Sequence, residues 1–173
     1  MSWIELLQPD LVLEESVLGI TPDLLEHKGL KGLVLDVDET IVPVGRALVD
    51  TDVLTWAKSI QQAVPLSLVS NNTGQDRIRQ IAESLEVPFV ASAGKPSRRK
   101  LRAAATAMDL PLAQIAMVGD RLFTDVLAGN RLGLFTILVA PMLEPNSKDP
   151  KNILRNAEFW ISRQLGITLK AIP

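Results

Sequence analysis

Short apolar runs alternating with amphipathic stretches predict an α/β protein: a doubly wound, Rossmann-like parallel sheet with helices on both faces. Two observations carry this. The runs are continuously apolar rather than alternating, as strands buried on both faces are. Polar residues of useful chemistry directly follow the runs, at the edge where such sheets bind ligands.

In chain order, residues 32–35 (GLVL) read as the first buried strand, ending at Asp36. Asp50 or Thr51 then caps a helix to about residue 63, with Leu54 and Ala57 facing inward and Lys58 and Gln61 outward. Residues 65–70 (PLSLVS) are a second strand. Residues 74–85 form a second helix, with Ile78, Ile81 and Leu85 at helical spacing. Residues 88–91 (PFVA) are a third strand, and Pro96 is placed near the first turn of a helix running to about Met108. Residues 115–118 (IAMV), a short helix around 123–129 and residues 135–140 (FTILVA) continue the series. A helix over about 152–164 closes it. The first 30 residues, with Trp3, Ile4, Leu6 and Leu7, precede this pattern and are expected to form a helical arm or lid. The expectation is one domain over 1–173: an arm (1–30), a motif-bearing core (31–141), and a loop with a closing helix (142–173).

Composition narrows the chemistry. The chain has 173 residues, 18 Lys+Arg against 20 Asp+Glu, one His and no Cys. That length suits one domain with a sizeable core. A net charge of −2 argues against broad nucleic-acid binding. The absent Cys excludes disulfides, Cys-rich zinc modules and thiolate nucleophiles. With His27 alone, sites needing two imidazoles are excluded as well. Catalysis, if present, falls to carboxylates. The N-terminus has no basic region like that of a secretory signal, and the longest uncharged apolar run, 132–143, is too short to span a bilayer. A cytoplasmic protein is expected.

The residues after the apolar runs are Asp36-Val37-Asp38-Glu39-Thr40, Ser70-Asn71-Asn72, Lys95, and Gly119-Asp120-Arg121 with Thr124-Asp125. Asp36 and Asp38, two apart on extended backbone, point to one side of the chain. Held close, they repel unless a cation joins them. Asp120 adds a third anionic ligand, and oxygen donors without His or Cys suit a hard cation, Mg²⁺. Lys95 and the hydroxyl and backbone N–H of Ser70 suit the non-transferring oxygens of a phosphoryl group. Together these parts describe phosphate-ester hydrolysis, in which Asp36 attacks phosphorus and Asp38 acts as general acid, then base.

These segments, at spacings of 34, 25 and 25 residues from Asp36 to Ser70 to Lys95 to Asp120, resemble the four ordered motifs of the haloacid dehalogenase (HAD) superfamily of phosphatases. The resemblance implies that Asp36 is nucleophile and metal ligand. It makes Asp38 the acid/base and a backbone-carbonyl ligand, Asp120 a direct ligand, and Asp125 a ligand acting through water. Ser70, Asn71 and Lys95 are the candidate phosphate-binding residues. A narrower resemblance, through Pro9, Ile20-Thr21-Pro22, Lys31-Gly32, Ser70-Asn71-Asn72 and residues 124–131, is to the YqeG-type group. That group includes phosphatases acting on phosphatidylglycerophosphate. Glu39 departs from the pattern, since many relatives carry Asn there.

HAD enzymes for small metabolites often carry a cap domain, and here neither insertion point has room for one. About ten residues (41–50) follow the first motif, and one helix and one strand fill the span from Ser70 to Lys95. An open site favours a phosphate on a macromolecule or on a lipid headgroup at the inner face of a membrane. Lys95, Arg98, Arg99, Lys100 and Arg102 form a basic cluster, read either as attraction for an anionic surface or as a solvated helix face. Trp3, Leu6 and Leu7 either enter that interface or pack on the core. Asn72 and Arg121 are candidates to brace the loops, His27 reads as a surface residue, Trp56 and Trp160 as core or docking aromatics, and Arg46 lies in a short flap. Three alternatives stand beside the lipid phosphatase: a HAD phosphatase of a soluble or macromolecular ester, a phospho-accepting receiver, and an idle scaffold. The receiver is disfavoured by Asp38, placed where it drives hydrolysis.

Overall fold

The computed structural model describes residues 3–143; the expected closing helix over 152–164, and Trp160 within it, lie outside the described residues. Six parallel strands form one sheet. They are β1 (Leu11–Val12), β2 (Gly32–Leu35), β3 (Leu66–Val69), β4 (Phe89–Val90), β5 (Ile115–Gly119) and β6 (Phe135–Leu138). Their order is β1-β6-β5-β2-β3-β4. The chain leaves central β2 toward β3 and β4, then crosses back to β5 and β6. The direction of winding therefore reverses between β2 and β5, which opens a crevice at their carboxyl ends. The register there pairs Leu35 with Val118, so Asp36 follows one strand level with the end of the other.

Helices α1 (Trp3–Leu7), α2 (Pro22–His27), α3 (Thr51–Gln61), α4 (Gln75–Leu85), α5 (Arg99–Thr106) and α6 (Leu127–Leu132) complete the elements. Alternate residues of β2 feed two cores. Leu33 and Leu35 pack with Trp56 and Ile60 of α3 and Ile78 and Ile81 of α4. Val34 packs on the other face with Leu101 and Ala105 of α5 and Ala128 of α6. The period of two in a strand thus explains why the run carries no polar residue: both faces are covered.

Local chemistry sets several boundaries. Thr21 caps α2 by accepting from the Leu24 N–H, with Pro22 at the first helical position. Asp50 precedes α3 without capping it, because its carboxylate meets Arg46 at 3.2 Å. Gly133, at φ +81°, ends α6 in the left-handed conformation that glycine adopts without strain. The helix expected around 123–129 is a single π-turn (Leu122–Val126) followed by α6. Pro96 lies outside α5, since a turn in which the Ser97 N–H reaches the Gly94 carbonyl (2.9 Å) intervenes before Arg99.

Residues 3–30 are fastened to the edge of the sheet through β1 rather than lying over it as a separate arm. Leu11 pairs with Ile137 along the edge of β6. The Asp10 carboxylate accepts from the Thr136 N–H (2.8 Å) and hydroxyl (3.0 Å), and Asn130 Nδ2 donates to the carbonyls of Leu6 and Gln8 (2.9 Å each). A two-residue strand leaves no periodic signal, and its fastening is tertiary. Asp10→Ala removes the acceptor for two donors of Thr136 and is expected to cost about 1–3 kcal/mol in urea unfolding. A midpoint equal to wild type would show that the edge strand is held otherwise.

Candidate active site

Four carboxyl-terminal strand ends meet at a cavity of about 210 Å³ lined by Asp36, Asp38, Glu39, Asn71, Asn72, Lys95, Arg121, Thr124 and Asp125. Asp36 follows β2, and its N–H donates to the Val118 carbonyl (2.9 Å), fixing it against β5. Asp120 follows β5 directly. Asp125 reaches back from the π-turn, its Oδ2 accepting from the Arg121 N–H at 3.3 Å. A Cβ on Gly119 would overlap the Asp125 carboxylate, so the small residue after Val118 is what lets that side chain fold into the site.

Lys95 is the pivot. Its side chain is 1% exposed, and Nζ lies 2.6 Å from Asp36 Oδ1 and 2.6 Å from Asp125 Oδ1. Burial pushes the ammonium toward deprotonation, but the charges of Asp125 and Asp36 outweigh it and raise its pKa above the ordinary lysine value. Asn71 fixes its backbone from both sides: Nδ2 donates to the Lys95 carbonyl (3.0 Å), and the Lys95 N–H donates to Oδ1 (2.7 Å).

Asp36, Asp120 and Asp125 each offer an oxygen within 4.8 Å of the others. Lys95 serves two of the three. Both Asp120 oxygens are buried with no hydrogen-bond partner among the described residues. Burial, then the charges of Asp125, Asp36 and Glu39, push the Asp120 carboxyl up to about 8. Burial also lifts Asp36 to about 6, against the lowering effect of Lys95. Hard oxygen donors, one of them orphaned and waiting for a positive charge, fit a divalent metal ion.

Asp36 and Asp38 both line the cavity, as their spacing predicts, yet only Asp36 joins the carboxylate ring. Asp38 is held by Arg77, whose Nη2 donates to Oδ1 (2.8 Å), and by Asn72, whose Nδ2 donates to Oδ2 (3.3 Å). Arg77 Nε also donates to the Arg46 carbonyl (2.7 Å), tying the flap to the same point. Sequence reasoning missed Arg77. Its one signal is position, in the first turn of the helix that leaves the Ser70-Asn71-Asn72 edge.

Ser70 is fully buried, and its N–H is committed to the Val90 carbonyl (2.9 Å). That corrects the expectation of a backbone donor there; the hydroxyl accepts from the Asn72 N–H at 3.0 Å, and Ser70 is not among the residues that line the cavity. The Asn71 N–H makes no hydrogen bond among the described residues and is the donor available in its place. Glu39 sits at φ +65°, the left-handed conformation that suits Asn better, and its carbonyl accepts from the Met142 N–H (2.6 Å). His27 is exposed, and Trp56 is buried with Nε1 donating to the Ile20 carbonyl (2.8 Å).

The raised carboxyls make stability depend on pH in a definite sense. Asp120 keeps its proton in the fold up to about pH 8 and loses it near 3.8 when unfolded. Between those values the native state binds more protons, so the metal-free protein loses stability as pH rises. Thermal unfolding with chelator is expected to give a Tm that falls from about pH 5 to pH 8, and added divalent metal to raise Tm most at the alkaline end. A metal-free Tm that climbs across this window would contradict the assignment.

Comparison with known proteins places this geometry. A family model described as HAD-hydrolase-like matches residues 92–141. The "Probable phosphatase YqeG" of Bacillus subtilis (strain 168) is 33% identical over 129 residues, 74% of each chain. "Phosphatidylglycerophosphate phosphatase 1, chloroplastic" of Chlamydomonas reinhardtii is 28% identical over 151 residues, 80% of this chain and 55% of that longer protein. Among solved structures, the HAD-hydrolase YfnB of Bacillus subtilis, bound to magnesium, superposes with a TM-score of 0.52 at 12% identity, covering 69% of this chain and 90% of its own. With a relative one-third identical over three-quarters of both chains and a fold of the same kind, the chain belongs to the haloacid dehalogenase superfamily of phosphatases.

Proposed function

We propose that this chain is a single-domain, capless, Mg²⁺-dependent phosphatase that hydrolyses phosphatidylglycerophosphate to phosphatidylglycerol through an aspartyl-phosphate. The observation that carries the chemistry is the Lys95 ammonium set 2.6 Å from both Asp36 and Asp125, beside an Asp120 carboxylate with no hydrogen-bond partner among the described residues. Asp36, Asp120 and Asp125 would hold the metal, with the Asp38 carbonyl. When bound, Mg²⁺ offsets the negative charge of the phosphate and polarises it toward attack.

The chain's own groups do the rest. Lys95, the Ser70 hydroxyl and the Asn71 N–H hold the non-transferring phosphate oxygens. A carboxylate oxygen of Asp36 forms a bond to phosphorus as the bond to the leaving oxygen breaks, and Asp38 gives its proton to that oxygen. Asp38 then takes a proton from water. The resulting hydroxide attacks phosphorus, the Asp36–phosphorus bond breaks, and inorganic phosphate departs. Arg77 and Asn72 orient Asp38 between the two transfers.

Two observations support a lipid substrate. The connections on either side of the site, residues 36–50 and α4 with its flanking loops, hold no further domain among the described residues. A large presented phosphate can therefore enter unhindered. A relative that covers 80% of this chain bears the name of a phosphatidylglycerophosphate phosphatase. No helix among the described residues is long and apolar enough to cross a membrane. On the lipid reading, the protein would work as a cytoplasmic, peripheral enzyme at the inner membrane face.

Phosphate release from vesicles of phosphatidylglycerophosphate, set beside a panel of soluble phosphomonoesters, tests this reading. Faster turnover of the lipid, abolished in Asp36→Asn, is the expected result. Turnover confined to the soluble panel would overturn the lipid assignment and leave a phosphatase of soluble esters.

A further inference from the structure

A further pocket, of about 610 Å³, is lined by Ser97, Arg98, Arg99, Arg102 and Arg131. All five residues are exposed. The arginines come from two elements, α5 with its preceding residue and α6, so the cluster is not simply one basic helix face. Arg131 was no part of the basic run in the sequence, and only the fold brings it there.

Two of the four are pre-set. Arg98 Nη1 donates to the Arg131 carbonyl (2.9 Å), and Arg131 Nη1 donates to the Pro96 carbonyl (3.2 Å). These bonds fix the guanidinium groups without neutralising them, because their acceptors are carbonyls. None of the four pairs with a carboxylate among the described residues. Arg98, Arg99, Lys100 and Arg102 also stand at the start of α5, where the helix dipole is positive and acidic residues are favoured. Four unneutralised guanidinium groups facing one pocket, three of them set against a helix dipole, are a standing electrostatic cost. An anion removes it, and the fork geometry of arginine matches phosphate oxygens.

The pocket adjoins the reaction centre through the chain itself. Pro96, the carbonyl that Arg131 holds, is the neighbour of Lys95. No aromatic residue lines the pocket, so it lacks the stacking platforms on which single-stranded nucleic acid is held. The chain as a whole carries a net charge of −2, which makes the positive field local to this rim.

We propose that Arg98, Arg99, Arg102 and Arg131 form a second phosphate-binding site, whose occupant is the headgroup phosphate of an anionic phospholipid at a bilayer surface. The choice of occupant rests on the lipid reading above. The site holds the protein on the membrane with its catalytic cavity toward the headgroups, and it is separate from the residues that handle the scissile phosphate.

The test uses Arg99→Gln/Arg102→Gln, which keeps the Arg98 and Arg131 bonds to carbonyls intact, and circular dichroism checks that the fold is retained. Sedimentation with phosphatidylglycerol-containing vesicles is compared with phosphatidylcholine vesicles, with inorganic phosphate and a single-stranded oligonucleotide as competitors. Wild type is expected to bind only the anionic vesicles. At about fivefold per basic residue near an anionic surface, the double variant loses about 30-fold in affinity. Equal binding by the two proteins overturns the site, whereas displacement of wild type from vesicles by the oligonucleotide or by millimolar phosphate keeps an anion-binding pocket but overturns the bilayer lipid as its occupant. Arginine-dependent vesicle binding without lipid turnover upholds the site and refutes only the substrate named above.

Discussion

The structure depends on one buried cation. Lys95 Nζ stands between Asp36 and Asp125 at 2.6 Å from each, in a site where three carboxylates approach within 4.8 Å of one another. Unpaired carboxylates so close and so buried would either take up protons or force the loops apart. The neighbouring features read as means of placing that ammonium. Asn71 clasps its backbone on both sides, Gly119 clears space for Asp125, and the strand order sets Asp36 level with the end of β5. One lysine cannot serve three anions. The remainder appears as the orphaned Asp120 and its high pKa, and that deficit is what a divalent metal fills.

Function follows from the same charge count. A phosphate monoester arrives as an anion at a nucleophile that is itself an anion, so positive charge must be in place before they meet. The chain supplies the Lys95 ammonium against the nucleophile, with Arg121 also lining the cavity, and surrounds that ammonium with oxygen donors suited to a further cation. Asp38 is kept out of this ring. Arg77 and Asn72 hold it to one side, where it can pass protons without being consumed as a carboxylate ligand. On the proposed mechanism, two aspartates on one strand end thus acquire different tasks from different neighbours.

The fold class and much of the cavity lining are legible in the sequence. The both-face burial of β2 follows from residues 32–35 being wholly apolar, and the cavity residues Asp36, Asp38, Asn71, Lys95 and Asp125 follow from their places after strands. What was not legible depends on tertiary contacts. β1 is two residues long and is held by Asp10 reaching Thr136, 126 positions away in sequence. Arg77 resembles any exposed helical arginine until α4 is seen to start beside Asp38. Ser70 offers a strand-end N–H in the sequence, but β4 claims that donor. The basic run at 98–102 left two readings open, and Arg131, 29 positions beyond Arg102, is what joins it into a pocket.

The central claim is that Asp36 is the group that bonds to phosphorus. The most direct measurement is a rapid acid quench during turnover of a phosphomonoester, followed by borohydride reduction and peptide mass spectrometry. The account predicts an acyl-phosphate on Asp36 alone, seen as conversion of that residue to its reduced alcohol and carried to a higher level when Asp38 is replaced by Asn. Phosphate mapped to another residue, or full turnover in the Asp36→Asn protein, would contradict it.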